Sequence, residues 1–491
     1  MLYSLLFLLL ISSLVSPLSE HPKLLLISFD GFRHDLLNSS LVPNIYRWSL
    51  DGAAFVNGVR SQYVSFTATN HMAIATGLYT ENHGIVSNRF FDYAEGKLFD
   101  YWNYSHTPGI IRESLEEKWY TGEPIWLTNE RADSTRHSAC LYWPFGEVKF
   151  PGKPQRPSLY RAWVDYRSFD QWLSDVDTIV DLFTRERNPV NFVAWYIAEP
   201  DHTLHLNGFY NGELFRTLTQ LDKLFAHLID KLKSTGLSQH LNIIFTADHG
   251  HAQIEGAQNI MCVEDYVNVK KLFHGEFMIY TFETKRAEEV YRNLTSAVRT
   301  HGFKVKVYTR KDFPKHYNYA GISKRIGDII LEPAIGWDVQ FNCTKAQFDK
   351  MYAGGAKLHS STHGMDPQQP EMHATLVLHG PDIHPLQRIH RRPQNIDLYE
   401  LMCFLLEIRC APNNGTLITF MSNVSFKKIK PGVFRGLLII ITIIVILVFL
   451  ILLLLLICLG YKLYKLVKKD RETSQTDAET GNNDTPEDEN K

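Results

Sequence analysis

Cysteine is scarce in this chain, and so is any excess of charge of one sign. Only six of the 491 residues are cysteines, which is too few for a fold built on disulfides. Cys403 and Cys410 lie close together and form the best candidate pair, whereas Cys140, Cys262 and Cys343 cannot be paired from the sequence. The formal net charge of -2 excludes a general electrostatic attraction to nucleic acid or anionic lipid. Any binding of phosphate groups must therefore depend on local positive charge, for which bound metal ions are the obvious source.

Long low-complexity linkers and internal repeats are also absent between about residue 20 and residue 425. Because 45% of the chain is hydrophobic, this segment can bury a large core, which excludes general disorder. We therefore predict one large domain, and no nucleic-acid-binding surface is evident in it. Nothing in the sequence identifies a protein partner.

Two apolar segments lie outside this domain. The first nineteen residues contain an apolar run followed by small residues, as in a secretory signal peptide. A later uncharged run, rich in Leu and Ile, is long enough to cross a bilayer. Lysines flank this run on both sides, so the signal peptide decides the orientation: a single-pass type I protein of the plasma membrane. The predicted segments are a signal peptide (1–19), an extracellular domain (20–425), a juxtamembrane stalk (426–435), a transmembrane helix (436–460) and a cytoplasmic tail (461–491).

Acceptor triplets for N-glycosylation agree with this topology, because six of them precede the predicted span. Each begins with an asparagine and has no proline at its second position: Asn38, Asn103, Asn293, Asn342, Asn414 and Asn423. A seventh triplet, at Asn483, lies in the predicted tail and should remain unmodified there.

The extracellular segment alternates short apolar runs with stretches of helical periodicity. Near-continuous apolar runs are typical of strands buried on both faces of a parallel sheet, and helices then cover the sheet. The predicted strands are residues 23–28, 192–197, 241–246 and 374–378, and the clearest predicted helices are residues 214–235 and 287–299. This pattern predicts an α/β fold with a mostly parallel sheet between helices.

Acidic and imidazole side chains follow three of these strands directly. Asp30 follows the first, Asp201 the second, and the adjacent pair Asp248 and His249 the third. An Asp-Gly turn or a lone Asp-His pair is usually just a solvated loop. In open α/β sheets, however, ligands gather at the carboxyl ends of the strands. If the strands are neighbours, these side chains therefore meet at one place.

The same residue types are ligands that zinc prefers, namely imidazole nitrogen and carboxylate oxygen. Asp201 and His205 are four residues apart, which places both on one face of a helix that starts there. Asp248 and His249 can reach one ion, or two neighbouring ions, from an irregular loop. His363, just before the fourth strand, supplies a further imidazole. Two metal ions about 4 Å apart can stabilise both the attacking and the leaving oxygen at phosphorus.

A nucleophile is available in the segment of residues 65–71, Ser-Phe-Thr-Ala-Thr-Asn-His. The hydroxyl of Thr67 loses its proton more readily next to a metal ion and can then attack phosphorus. Asn70 is a candidate donor to a non-bridging phosphate oxygen. By composition alone, such a stretch is more typical of a loop or a helix cap.

At this point the chain resembles the ectonucleotide pyrophosphatase/phosphodiesterase family, within the alkaline phosphatase superfamily. It is most similar to the short membrane-bound types 4 and 5. The resemblance runs from residue 23 to about residue 416. Its ordered motifs are SFDGFR (28–33), TGLYTENHGIVSN (76–88), PIWLTN (124–129), EPDHTLH (199–205), ADHGH (247–251), HGMD (363–366) and APNNGT (411–416).

The resemblance implies an alkaline-phosphatase-like fold and two Zn²⁺ ions per chain. One zinc would be held by Asp201, His205 and His363. The other would be held by Asp30, Asp248, His249 and the nucleophile Thr67. Thr67 would attack the phosphodiester and form a phosphothreonine, which water at the other metal would hydrolyse.

The segment around the nucleophile departs from the family pattern K-T-F-P-N-H. Phe66 stands in place of the Lys, Ala68 in place of an aromatic residue that stacks a nucleobase, and Thr69 in place of the Pro. These changes concern the leaving group and the rate more than the type of reaction. For the opposite wall of the base site, the candidates are Tyr160, Trp163 and Tyr166, of which we select Tyr166.

The expected function is thus hydrolysis of phosphodiester or pyrophosphate bonds in extracellular nucleotides or dinucleotides. Two alternatives remain, and a plain phosphomonoesterase ranks below both because the chain lacks an evident Arg beside the expected nucleophile. One is a phosphodiesterase for choline esters such as glycerophosphodiesters or lysophospholipids, which would need an aromatic and acidic pocket. The other is a weakly active cell-surface interaction protein, which the complete set of ligand residues disfavours.

Overall fold

The structure is a computed structural model, which describes residues 18–102, 113–164, 167–254, 256–321, 323–351, 360–427 and 431–480. Most of the predicted signal peptide and the end of the predicted tail lie outside these residues. The chain divides into two compact units at Lys427 and Lys428. All the described strands belong to the first unit, and the described part of the second is one helix.

The strands are numbered in chain order. They are β1 (Lys23–Phe29), β2 (Ala53–Phe55), β3 (Arg89–Asp92), β4 (Lys97–Asp100), β5 (Ser138–Leu141), β6 (Leu159–Arg161), β7 (Phe192–Ile197), β8 (Leu241–Thr246), β9 (Ala252–Gln253), β10 (Ile260–Cys262), β11 (Phe273–His274), β12 (Met278–Tyr280), β13 (Val305–Thr309), β14 (Ile329–Pro333), β15 (Asp338–Gln340), β16 (Ser361–Thr362), β17 (Leu376–His379) and β18 (Gln387–Ile389).

The α-helices are numbered in the same way. They are α1 (Pro43–Leu50), α2 (Thr67–Thr76), α3 (Thr80–His83), α4 (Ile125–Ala132), α5 (Phe169–Thr184), α6 (Asp201–Asn207), α7 (Glu213–Ser234), α8 (Thr284–His301), α9 (Lys345–Met351), α10 (Asp397–Leu406), α11 (Ile418–Asn423) and α12 (Pro431–Thr480). The two helices predicted from periodicity correspond to α7 and α8.

An eight-stranded, mainly parallel sheet forms the centre of the first unit. Its strand order is β18-β2-β17-β8-β1-β7-β5-β6. β1 is paired in parallel with both β7 and β8, and all of its residues are buried, as the continuous apolar run predicts. The expected fourth strand begins two residues later than predicted, as β17, and runs antiparallel to β8. Burial on both faces makes an antiparallel strand as uniformly apolar as a parallel one, so the sequence pattern did not reveal its direction.

Helices cover the sheet on both faces. On one face, the rings of Phe29 and Phe245 pack edge to face with centroids 5.1 Å apart. Phe225 of α7 and Trp48 of α1 pack against that pair. On the other face, α10 packs against α2, α4 and β1. Aromatic pairs of this kind add stability beyond the area they bury, so the central strands are held firmly from both sides.

A second, smaller sheet is inserted between β8 and β17. It is antiparallel, with the order β11-β12-β14-β13, and α8 packs against β13 and β14. The turn between β11 and β12 carries Gly275, Glu276 and Phe277. These three residues line the same cavity as Phe66, His205 and His363, so the insertion contributes to the site described below.

Two disulfides are present in the described residues. The predicted pair Cys403–Cys410 is confirmed, and Cys262 is joined to Cys343 across 81 residues. Cys140 is buried without a disulfide.

The predicted glycosylation acceptors differ in their placement. Four of them are exposed, Asn38 is half-buried, and Asn103 lies outside the described residues. The exposed acceptors are Asn293, Asn342, Asn414 and Asn423.

The helix α12 contains the long apolar segment. Within the described residues, Thr442–Lys469 is long and apolar enough to cross a membrane, with a mean hydropathy of 3.7 over its most apolar window. The side chains of this segment are exposed, whereas those of a core helix would be buried.

Candidate metal and catalytic site

The acidic residues that follow the neighbouring strands β1, β7 and β8 lie close together. The register pairs Phe29 with Ile197, so the residues that follow these strands are adjacent. The Asp201 amide donates to the carbonyl oxygen of Asp30 at 3.1 Å. The Gly31 amide donates to Oδ1 of Asp248 at 3.1 Å. The carboxyl ends of the strands thus bring together the residues that the sequence pattern singled out.

The first cluster of donors contains Asp30, Asp248 and His249. His249 Nε2 lies 3.1 Å from Oδ2 of Asp248 and 3.5 Å from Oδ1 of Asp30. Its Nδ1 is 2.9 Å from the carbonyl oxygen of Gly250, which can only accept. Nδ1 therefore carries a ring proton, and Nε2 faces the carboxylates, where it can bind a metal ion.

Two carboxylate oxygens in this cluster are buried without a donor among the described residues: Oδ1 of Asp30 and Oδ2 of Asp248. Buried oxygens that face an imidazole lone pair are costly unless a cation lies between them. The donor set of carboxylate oxygen and imidazole nitrogen is the one that Zn²⁺ prefers. The residues therefore fit a metal ion at this place.

A second cluster of donors surrounds Asp201. Within the described residues, it contains Asp201, His249, His251 and His363. His363 Nδ1 is 2.7 Å from the carbonyl oxygen of Ser65, so its Nε2 also presents a lone pair. That Nε2 lies 3.5 Å from Oδ1 of Asp201. The expected ligand His205 lies at the edge, with a side chain 41% exposed and its Nε2 3.0 Å from that of His363.

The electrostatics of the carboxylates agree with a cationic occupant. Burial raises the pKa of Asp30 well above its usual value, and the charges of Asp248 and Asp201 raise it further. Burial also opposes ionisation of Asp201, but the nearby His205 and His251 hold the pKa of that carboxyl well below its usual value. A bound cation would stabilise all three carboxylates in their ionised form.

Thr67 is the first residue of α2, and its Oγ1 lies 3.4 Å from Nε2 of His249. The helix is tied to the sheet through His71: its Nδ1 donates to the carbonyl oxygen of Thr67 and its Nε2 accepts from Ser28. The N-terminal end of a helix also stabilises negative charge. The threonine hydroxyl is thus held at the first donor cluster by rigid elements rather than by a flexible loop.

The structure contradicts the expectation for Asn70. Its Nδ2 donates to the carbonyl oxygens of Val64 and Phe66, at 3.0 and 3.1 Å. Its Oδ1 accepts from the amide of Gln62 and from the side chain of Asn395. Both ends of the amide are therefore used in holding the loop before α2. Asn70 supports the loop and is not available as a donor to a phosphate oxygen.

Asn88 is a polar residue of the site that the sequence analysis did not identify. Its Oδ1 accepts from the amide of Ala68, one residue after Thr67, at 2.9 Å. This fixes the orientation of the side-chain amide and leaves its Nδ2 as a donor. Asn88 also lines the cavity beside the site. Asn88 is 21 residues from Thr67 and on another segment, so its distance along the chain gave no reason to place it at the site. The only sequence signal was its position at the end of the TGLYTENHGIVSN motif.

A cavity of about 430 Å³ lies beside Phe66, His205 and His363. The ring of Phe66 is 5.2 Å from that of Phe277 and 5.4 Å from that of His363. Ala68 is fully buried and contributes no wall. The aromatic wall next to the nucleophile is therefore supplied by the residue before Thr67.

The expected opposite wall is not established. Tyr166 lies outside the described residues. Trp163 is 3% exposed and packs against Tyr101, and Tyr160 is exposed beside Arg156. Other rings that line the cavity are those of Trp102, Phe341 and His274.

Comparisons with known proteins extend these observations. The family model described as type I phosphodiesterase / nucleotide pyrophosphatase matches residues 24–366. The chain is 31% identical over 405 residues to the human bis(5'-adenosyl)-triphosphatase ENPP4, and the alignment covers 80% of each chain. It is also 31% identical over 411 residues to venom phosphodiesterase 2 of Crotalus adamanteus, covering 81% of this chain and 47% of the venom protein.

Solved structures of similar proteins show the same fold. Murine ectonucleotide pyrophosphatase / phosphodiesterase 5, in an inactive threonine-to-alanine form with AMP, superposes with a TM-score of 0.71 at 28% identity. The match covers 82% of this chain and 100% of the murine chain. The human protein of the same type gives a TM-score of 0.70 at the same identity and coverage. The expected α/β architecture is thereby confirmed.

Glu276 gives a test of the cavity's electrostatics. Burial raises the pKa of this carboxyl from 4.5 to about 7, although Ser87 donates to it. The folded protein therefore keeps the proton longer than the unfolded chain, and stability is lost as pH rises from about 4.5 through 7. Glu276→Gln cannot ionise. We expect its free energy of unfolding, relative to the parent, to rise by about 1–2 kcal/mol between pH 5 and pH 8.

The measurement is urea unfolding of the full chain in detergent, with a chelator present at both pH values. Glu264→Gln is the matched control, because Glu264 is exposed and its replacement should give the same difference at both pH values. An equal difference for Glu276→Gln at pH 5 and pH 8 would contradict the raised pKa.

Proposed function

The chain belongs to the type I phosphodiesterase / nucleotide pyrophosphatase family, and we propose that it is a two-zinc enzyme that cleaves extracellular nucleotides or dinucleotides through a phosphothreonine. The family assignment makes it a hydrolase and a relative of types 4 and 5. The observation that carries the finer proposal is the position of Thr67 Oγ1, 3.4 Å from His249 Nε2 at the first donor cluster. A nucleophilic hydroxyl and a set of metal ligands are thus in one place.

The ligand sets are those that the family resemblance implies, and the two donor clusters support them at Asp30, Asp248 and His249 and at Asp201 and His363. Asp30, Asp248 and His249, together with Thr67, would hold one zinc ion. Asp201, His205 and His363 would hold the other. Bound metal ions would lower the pKa of the threonine hydroxyl and offset the charge that develops on the phosphate oxygens.

The protein's own groups then carry two successive displacements. Thr67 gives up its proton to water, and its Oγ forms a bond to phosphorus while the bond to the leaving oxygen breaks. The leaving alcohol or nucleotide takes the electron pair and then a proton. In the second step, water attacks the phosphothreonine, the bond from phosphorus to Oγ breaks, and Thr67 regains its proton. The products are a phosphomonoester and the free enzyme.

Asn88 is the residue of this chain that we assign to the phosphate. Its Oδ1 is held by the Ala68 amide, so its Nδ2 can donate to a non-bridging oxygen of a phosphate bonded to Thr67. A fixed donor that faces developing charge costs no reorganisation during the reaction. In the proposal, Asn88 therefore takes the place that the sequence suggested for Asn70.

Nucleotides are the substrate class favoured by the relatives. One relative is named a bis(5'-adenosyl)-triphosphatase, and another was solved with AMP. The cavity also offers a specific reason to keep a choline ester as the second candidate. Glu276 and Asp338 place two carboxylates among the rings of Phe341 and Trp102, and such surroundings attract a quaternary ammonium.

The topology of the proposal is a type I single-pass protein of the plasma membrane. A signal peptide over residues 1–19 would lead the catalytic domain of residues 20–425 to the outside. A stalk over residues 426–435 would connect this domain to a transmembrane helix over residues 436–460, and residues 461–491 would form the cytoplasmic tail. The support is the apolar helix segment and the exposure of four glycosylation acceptors.

Replacement of the nucleophile tests the mechanism. We expect Thr67→Ala to lower kcat by on the order of 10⁴-fold or more, because the attacking oxygen is lost. Thr67→Ser keeps the hydroxyl and is the matched control, which should retain part of the activity. The full chain in detergent is assayed on diadenosine triphosphate, p-nitrophenyl thymidine 5′-monophosphate and p-nitrophenyl phosphorylcholine, with and without a chelator.

Each outcome of this assay has a defined meaning. Chelator-sensitive cleavage of the nucleotide esters, lost only in Thr67→Ala, supports the proposal. Cleavage of the choline ester alone keeps the mechanism and moves the substrate to choline phosphodiesters. Absence of cleavage by folded, zinc-loaded protein overturns the enzymatic proposal and favours an interaction protein.

Two asparagine replacements separate catalysis from folding. Asn88→Asp still accepts from the Ala68 amide but cannot donate to a phosphate. We expect it to lower kcat by about 10²-fold with an unchanged Tm. Asn70→Asp should instead lower the Tm, because two donated hydrogen bonds are lost. The assignment of Asn88 would be wrong if both variants lost stability and neither lost kcat at a temperature where both are folded.

Treatment of intact cells tests the topology. Peptide N-glycosidase should reduce the mass of the parent chain, and an added protease should remove the domain while sparing a tail epitope. Replacing Asn483 by Gln should leave the mass shift unchanged, because that residue would face the cytoplasm. A tail epitope that antibodies reach on intact cells would reverse the orientation.

A further inference from the structure

His251 is the last residue of the ADHGH motif and a fully buried histidine at the site, yet neither the expected ligand sets nor the proposed mechanism uses it. It precedes β9 and lies three residues after Asp248. Its Nε2 is 2.6 Å from Oδ1 of Asp201. This is the shortest of the described distances from Asp201 to an imidazole, since His205 and His363 both lie at 3.5 Å. A buried group so close to an expected metal ligand needs a physical role.

The hydrogen bonds around Ser361 determine which ring nitrogen of His251 carries a proton. Ser361 Oγ donates to the carbonyl oxygen of Leu204 at 2.8 Å, which uses the only hydrogen of that hydroxyl. The same Oγ lies 3.1 Å from Nδ1 of His251 and must therefore accept from it. Nδ1 therefore carries a proton, and Nε2 faces the carboxylate of Asp201, where it can bind either a second proton or a metal ion.

A lone pair and a carboxylate oxygen cannot share a buried space unless a positive charge lies with them. His363 and His249 show the same arrangement, with Nδ1 bound to a carbonyl oxygen and Nε2 turned inward. A ligating histidine characteristically donates its other ring N–H to a protein oxygen in this way. His251 thus has the hydrogen-bonding pattern of a metal ligand.

The neighbouring rings complete a possible coordination set. The centroid of His251 is 4.7 Å from that of His205 and 4.8 Å from that of His363. The donor atoms of Asp201, His249, His251 and His363 all lie within 4.8 Å of one another. Among the imidazoles close to Asp201, His251 is fully buried, whereas His205 is 41% exposed.

We infer that His251 is a direct protein ligand of the metal ion proposed at Asp201. This ion then has four protein donors: Asp201, His205, His251 and His363. Sets of four protein ligands are typical of tightly held zinc, whereas three leave a position open. The ion at Asp201 should therefore be retained more strongly with His251 in place than without it. The inference rests on the proposed function, because it presupposes that the chain binds two metal ions.

The test is metal retention by the full chain in detergent, loaded with Zn²⁺. Bound zinc is counted by mass spectrometry after dialysis against a series of chelator concentrations. His251→Gln is the decisive variant, because its amide can donate a hydrogen bond to Asp201 and so keep that carboxylate partnered, but it is a poor zinc ligand. We expect one of the two equivalents of zinc to be released at a chelator concentration at least about tenfold lower than in the parent. The other equivalent should not change.

His83→Gln is the matched control, since His83 is also fully buried and belongs to neither cluster. It should retain both ions as the parent does. Far-ultraviolet circular dichroism of each variant in chelator checks that its fold is intact. If His251→Gln does not fold, X-ray absorption of the zinc-loaded parent decides instead. If His251 is a ligand, the two zinc ions should together have four imidazole ligands. If it is not, they should have three.

The outcomes separate this inference from the proposed function. A parent that binds two zinc ions, with an unchanged release curve for His251→Gln, would overturn the inference alone. Three imidazoles in the X-ray absorption spectrum would have the same meaning. A folded parent that binds no zinc would overturn both the inference and the two-metal mechanism. Selective weakening of one equivalent in His251→Gln, with His83→Gln unchanged, supports His251 as a ligand.

Discussion

Buried negative charge at the carboxyl ends of three neighbouring strands is the constraint on which the site depends. Asp30, Asp201 and Asp248 all lie in the interior, close to one another. Removing even one such carboxylate from water costs several kcal/mol unless it is paired. The protein surrounds these oxygens with imidazole rings rather than with arginine or lysine, an arrangement that fits bound cations as a source of compensating charge. The same arrangement explains why two carboxylate oxygens have no donor in the described residues.

The scaffold keeps these groups in place through apolar packing. β1 is paired on both sides and fully buried, and its position fixes where Asp30 emerges. Phe245 of β8 is held among the rings of Phe29, Phe225 and Trp48, three residues before Asp248. Side chains on rigid strands and helix ends keep their geometry better than side chains on mobile loops. Thr67 benefits in the same way from the first turn of α2.

In the proposed function, the substrate would be recognised by residues from a different part of the chain. The inserted antiparallel sheet brings Glu276 and Phe277 to a cavity whose other wall carries Phe66 and His363. In the proposed function, the chemistry at phosphorus and the choice of leaving group would thus be supplied by separate elements, as is common where one fold serves several substrates. In this chain, Phe66 provides an aromatic surface while Ala68 lies in the core. The aromatic surface that is missing at Ala68 is therefore partly replaced by the ring of Phe66.

The sequence by itself determined the strands that carry the site, because continuous apolar runs such as residues 192–197 are local patterns. It also determined which acidic residues end those strands, and it revealed the apolar segment of α12. Only the tertiary structure decided which polar groups turn toward the site. Asn70 is close to Thr67 in sequence, yet its amide is used by the preceding loop, whereas Asn88 reaches the residue next to Thr67 from a segment about 20 positions further along the chain. His251 likewise depends on Ser361, a residue 110 positions distant. The physical reason is that side-chain hydrogen bonds fix these orientations across the fold, and no local periodicity records such distant partners.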